Sequence, residues 1–230
     1  MKRFFWIWSA VAVALLAYGF WQGMYVAPTE ATMGPIQRIF YWHVPINIFA
    51  EISPYVNMFS SIAYLLYRSK DMHKAMIADA LALASAEVTV LFVSLGLMSG
   101  ILWGRPAWGI WWAWDARTTT YLLLWLLYVS YLLVRRYTSG VQAYTLAAVL
   151  SVFAGIDVPI VYKSISWWRT QHPAPVLTGD GYLDPDMKRA FAWNALAWIM
   201  WGTSLVWARY AIIRREQKIR DAAALEAMEA

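Results

Sequence analysis

No cysteine occurs among the 230 residues, so the chain has no disulfide, no thiolate metal site and no Cys-x-x-Cys-His attachment for a covalently held porphyrin. Charge is scarce as well. Asp, Glu, Lys and Arg make up 14% of the residues against 61% that are hydrophobic, a balance too apolar for an ordinary soluble domain and suited to a lipid solvent. A Gly-x-x-x-x-Gly-Lys-Ser/Thr loop is absent, which excludes an ATP-binding phosphate cradle of that kind. Histidine is limited to His43, His73 and His172, so the position of each carries information.

What the chain has in abundance is long apolar stretches. A helix needs about 20 apolar residues to cross a bilayer, and six stretches read as spans, the fourth of them short: Phe4 to Val26, Pro45 to Tyr67, Ala80 to Leu102, Thr119 to Val134, Gln142 to Tyr162 and Ala190 to Ile213. The first follows Met1-Lys2-Arg3 like a signal peptide, but it is too long for one and continues through Tyr18, Phe20 and Trp21, so it reads as a retained span. The expected fold is all-α: a single polytopic membrane domain built as a six-transmembrane-helix bundle, with a charged helical tail over residues 214–230.

The formal charge of +5 does not mark a nucleic-acid surface, because the basic residues are scattered between apolar stretches. Topology explains them. With the N-terminus in the cytoplasm, twelve of the nineteen Lys and Arg residues fall on the inner side, as the positive-inside rule requires. Both termini are then cytoplasmic, and the outer loops span roughly residues 27–44, 103–118 and 163–189.

Some of the sixteen tryptophans, such as Trp6, Trp8 and Trp207, suit an interfacial aromatic belt. A belt does not account for Trp103, Trp108, Trp111, Trp112 and Trp114, which crowd into one outer loop. A helical middle to this loop would place Trp108, Trp111, Trp112 and Asp115 on one face, giving an aromatic platform for a flat ligand or an interfacial anchor. Asp115 also stands where it can cap the fourth span.

His43 and His172 lie in outer loops beside the tryptophans, whereas His73 reads as a solvated residue of an inner loop. Two neutral imidazoles can supply both axial positions of a haem iron. Haem carries two propionates, and Arg38, Arg105, Arg117 and Arg169 stand near enough in sequence to bind them. Glu51 and Asp157 are acids inside spans, which points to function or to polar pairing within the bundle. His43, Asn47 and Glu51 recur at helical spacing, which would give the histidine a polar second layer. Glu87 lies deeper and suggests no role.

The stretch Trp103 to Arg117 resembles the signature of the tryptophan-rich "WWD" family of haem-handling proteins that serve cytochrome c maturation. The likeness covers nearly the whole chain, including Arg38 to Pro45 and Asp157 through His172. Its length, six spans and flanking histidines are most similar to the haem exporter C branch. Thr118 departs from the family, which commonly has an apolar residue there. The resemblance implies that His43 and His172 are axial ligands of a transient, non-covalent haem b, and that the Trp loop with Asp115 holds the porphyrin. It also implies that Arg38 and Arg117 bind propionates. Implied partners are the periplasmic haem chaperone CcmE, the membrane subunits CcmB and CcmD, and the cytoplasmic ATPase CcmA, in a bacterial inner membrane.

Two other functions compete. A respiratory b-type cytochrome needs redox centres near both faces, yet only the outer face offers two histidines. A transporter of another planar or anionic solute would use the same aromatic surface without iron. The favoured reading is a haem-transfer component rather than an enzyme, with help in the covalent attachment of haem to the chaperone left open.

Overall fold

Lipid offers a peptide group no hydrogen-bond partner, so an apolar stretch satisfies its own backbone by coiling into a helix. The computed structural model describes residues 2–173 and 183–229. Among them are six long helices: α1 (Lys2–Trp21), α2 (Phe40–Tyr67), α3 (Met72–Trp108), α4 (Ala116–Tyr137), α5 (Gly140–Trp167) and α6 (Pro185–Glu229), with no strand. All but the first outrun their apolar stretches. α3 continues past Arg105 and Pro106, and α6 runs through the charged tail. Residues 174–182 of the expected third outer loop lie outside the described residues.

Five segments are long and apolar enough to cross a membrane: α1 with the π-turn that follows it, α3, α4, α5 and α6. α2 has the length but not the apolarity. Its Asn47, Ser53, Asn57, Ser60 and Ser61 are all buried among the other helices. Large apolar side chains such as Phe4, Phe59, Leu91, Leu123, Phe153 and Leu196 are exposed around the bundle, as a lipid-facing surface requires.

α2 and α3 form the most extensive pairing, α4 packs on α5, and α1 lies along α6. Small buried residues of α3, including Ala82, Ala86 and Thr89, let the helices approach closely enough for van der Waals packing and short polar contacts. Thr89 Oγ1 donates to Ser53 Oγ at 2.9 Å, and Asn57 Nδ2 donates to the Ala82 carbonyl at 2.7 Å. The central core adds Phe49, Phe92, Leu124, Tyr128, Val158 and Val161. Glu87 is not idle: it pairs with Arg209 of α6, with Arg209 Nη2 3.0 Å from Oε1. Arg135 and Asp79 form a two-pronged pair at 2.6 and 3.0 Å.

The middle of the tryptophan loop is not helical, contrary to expectation. Gly109, at φ +80°, ends α3 in the left-handed conformation that a side chain disfavours, with its N–H on the Arg105 carbonyl at 2.9 Å. The chain is irregular from there until Asp115 caps α4. Trp108 therefore shares no helical face with Trp111, Trp112 and Asp115.

Candidate functional site

The starts of α2 and α4 and the ends of α3 and α5 meet at one end of the bundle around a single cavity. About 760 Å³ of space lies between the lining residues when the open mouth is counted, but only about 80 Å³ of it is room in the sense of a cavity volume, so a large planar ligand would occupy the mouth. His43, Trp103, Trp108, Trp111, Trp112, Asp115, Arg117 and His172, all singled out from the sequence, line it. Trp114 and Arg38 do not.

His43 is buried in the first turn of α2. Its Nδ1 lies 2.9 Å from Ser99 Oγ, and that hydroxyl gives its only hydrogen back to the Leu95 carbonyl at 2.7 Å, a turn earlier on α3. With the Ser99 hydrogen on Leu95, its oxygen accepts from Nδ1–H, and in that tautomer Nε2 keeps its lone pair. Asn47 Nδ2 donates to the His43 carbonyl at 2.6 Å. It is also within hydrogen-bond reach of both ring nitrogens, at 3.3 and 3.4 Å. The Trp103 ring meets the imidazole edge-on, with centroids 5.5 Å apart.

His172 sits on the turn after α5. Its Nδ1 donates to the Pro173 carbonyl at 2.9 Å, which again leaves Nε2 with the lone pair. Burial, aided by the nearby Arg117 charge, holds this imidazole down at about 4, although the Pro173 contact and the Asp115 carboxylate pull the other way. It is neutral at physiological pH.

Asp115 fixes that turn. One carboxylate oxygen accepts from Thr118 N–H and Thr118 Oγ1, both at 3.0 Å, and so caps α4. The other accepts from the Thr170 hydroxyl and from Gln171 N–H, the latter at 2.9 Å. Thr170 Oγ1 in turn accepts from His172 N–H at 3.0 Å. Burial pushes the Asp115 carboxyl up, but these hydrogen bonds outweigh it and leave it below the ordinary carboxylate range. Its hydrogen bonds go to the polypeptide, so its part in the cavity is to hold other residues.

The four arginines divide. Arg38 donates to the carbonyls of Gly23 and Met24 at 2.8 and 2.6 Å, tying down the π-turn (Gln22–Val26) outside the cavity. Arg105 donates to the Gly109 carbonyl, and Arg169 is exposed away from the lining residues. Only Arg117 lines the cavity, where it donates to Glu51 and to the Val161 carbonyl. Trp111 and Trp114 are 58% and 77% exposed, and so offer aromatic surface outward. The Trp103 and Trp112 indole N–H groups and the Tyr121 hydroxyl are buried without a partner among the described residues, and these three residues line the cavity. Unsatisfied donors of this kind suit a ligand with carboxylates or other acceptors.

The sequence profile described as CcmC, Heme exporter protein C, matches residues 1–225. This chain belongs to the Heme exporter protein C family. A Heme exporter protein C of Bradyrhizobium diazoefficiens is 35% identical over 196 residues, covering 82% of this chain and 72% of the relative. That of Escherichia coli is 30% identical over 204 residues, covering 88% and 80%. That of Rhodobacter capsulatus is 29% identical over 230 residues, covering 97% and 89%.

Three features of this Heme exporter protein C family member escaped the sequence reading: Ser99, Tyr121 and the glycines beneath the cavity. A Cβ at Gly100 would lie 3.2 Å from His43 Cε1, and one at Gly96 only 2.5 Å from both Asn47 Oδ1 and Tyr121 OH. The signal was present as Gly96-x-x-x-Gly100-x-x-x-Gly104, a small-residue ladder at helical spacing that marks close helix approach.

Proposed function

We propose that this chain carries haem non-covalently at the periplasmic face of a bacterial inner membrane, and that it hands the haem to a periplasmic chaperone of the CcmE kind during cytochrome c maturation. Haem is cargo, with His43 and His172 as its axial ligands. One observation carries the reading: two histidines 129 positions apart line one cavity, each with its Nδ1 beside a hydrogen-bond partner of the protein, Ser99 Oγ for His43 and the Pro173 carbonyl for His172, an arrangement that suits Nε2 as the ligand atom. Trp103, Trp108, Trp111 and Trp112 supply an apolar, aromatic wall, while Arg117 and the unpartnered indole and phenol donors receive carboxylates.

In this reading α2 is the sixth span, its polar residues turned inward, and both termini are cytoplasmic. CcmB and CcmD are membrane partners, and CcmA supplies the ATPase that this sequence lacks. The test is the absorption spectrum of the detergent-purified protein titrated with haem, beside His43→Ala and His172→Ala. A low-spin bis-histidine spectrum that each substitution converts or abolishes is expected; no haem uptake, or a spectrum indifferent to both changes, refutes the ligand assignment.

A further inference from the structure

Arg117 is the one Lys or Arg among the described residues that line the cavity, and it is held from behind. Its Nη1 donates to the Val161 carbonyl of α5 at 2.8 Å, and its Nη2 donates to Glu51 Oε1 of α2 at 3.0 Å. The guanidinium also lies 5.5 Å from the Tyr121 ring centroid. The Arg117 and Glu51 side chains are only 13% and 18% exposed, so water does little to screen the pair. Glu51 itself is not among the lining residues. Its direct contact with the cavity wall is through Arg117.

Charge decides what that contact does. A guanidinium has five N–H donors, and two are spent on Glu51 and Val161, which leaves three for a ligand carboxylate. A carboxylate approaching Arg117 meets a cation already neutralised by Glu51, with the Asp115 carboxylate also on the wall. Together these three side chains carry one net negative charge, an environment that holds an anionic cargo weakly.

Resting on the haem-carrying reading above, we propose that Glu51 is a positioning residue for release: it fixes Arg117 in the cavity and weakens that arginine's grip on the carboxylates of the cargo. A carrier needs such a setting, because a cation left unopposed would retain the porphyrin. The chemistry it recognises is a planar ligand bearing carboxylates, and the effect depends on those carboxylates being free.

Dissociation of haem from the purified protein into excess apomyoglobin is the test, repeated with haem dimethyl ester, whose carboxylates are blocked. Glu51→Gln keeps an acceptor oxygen for Arg117 and removes the charge. Its haem dissociation is expected to slow about tenfold, with the low-spin spectrum unchanged and the ester's dissociation unaltered. Glu51→Asp keeps the charge but draws it back from Arg117, so an intermediate slowing is expected; this variant carries the test if Glu51→Gln does not fold. Adding Arg117→Gln to either variant is expected to abolish the slowing. Dissociation unchanged or faster in the Glu51 variants, or slowed equally for haem and its ester, overturns the proposal while leaving the carrier reading intact. A wild-type protein that takes up no haem refutes the carrier reading instead.

Discussion

Substituting Asp115 by Asn separates two jobs that one carboxylate performs. Asn is as good an N-cap as Asp, so the oxygen facing Thr118 keeps its role and α4 starts as before. The other oxygen becomes an amide NH₂ facing two donors, the Thr170 hydroxyl and Gln171 N–H. Hydrogen bonds to a charged group contribute about 1.5–3 kcal/mol each when buried; on this partly exposed turn about 1 kcal/mol each is the appropriate figure after screening. The turn carrying His172 thus loses about 2 kcal/mol, roughly a thirtyfold drop in its ordering equilibrium constant at 1.36 kcal/mol per factor of ten. Haem titration followed by absorption should show affinity weakened by up to about that factor, with loss of the six-coordinate low-spin form. The thermal midpoint in detergent should move little, since the cap survives. Wild-type affinity and spectrum in Asp115→Asn would refute the argument, and so would a fall in midpoint that accounts for the whole loss of binding.

Ser99→Ala removes the acceptor for His43 Nδ1–H, a loss of about 1 kcal/mol, so haem should bind about fivefold more weakly while remaining low-spin; a titration with an unchanged midpoint contradicts this. The His172 imidazole is held down at about 4 against an ordinary value of 6.5. Between those values the unfolded turn is protonated and the folded one is not, so the turn loses stability as pH falls from 6.5 towards 4 and nothing above that window. His172 should accordingly stay competent as a ligand down to about pH 4, and a low-spin band that fades with a midpoint near 6.5 would rule this out. Asp79→Asn leaves Arg135 buried without its counter-charge and should cost about 3 kcal/mol, read as a lowered thermal midpoint with haem-binding stoichiometry retained.

Apolar runs made the helices legible, because length and hydropathy measure what lipid demands of a backbone. Helix ends were less so, since Arg105 and Pro106 belong to α3 for local reasons that apolarity does not report, whereas the charged tail past Arg214, rich in helix-forming residues, was expected as helix and continues α6. The aromatic face across the tryptophan loop failed on one residue. Gly109 is the left-handed stop that follows Trp108, and weighing it would have ended the helix there. His43, His172 and the Trp cluster could be grouped because alternating spans put their loops on one side, and the structure gathers them around one cavity. Arg38 and Arg117 looked alike by proximity in sequence. Only the fold shows that one binds the π-turn carbonyls while the other faces the cavity. The partner of Glu51 was illegible for the same reason: it lies 66 positions away on another helix.

The two histidines are unequally mounted. His43 is set in a 28-residue helix and braced by Ser99, Asn47 and the Trp103 edge, whereas the turn bearing His172 hangs on Asp115. Such a grip behaves like a vice with one fixed jaw and one hung on a latch. In the carrier reading proposed above, unloading would have a built-in order: the His172 jaw would open first, and the flat cargo would pivot on His43 with the freed face towards a recipient.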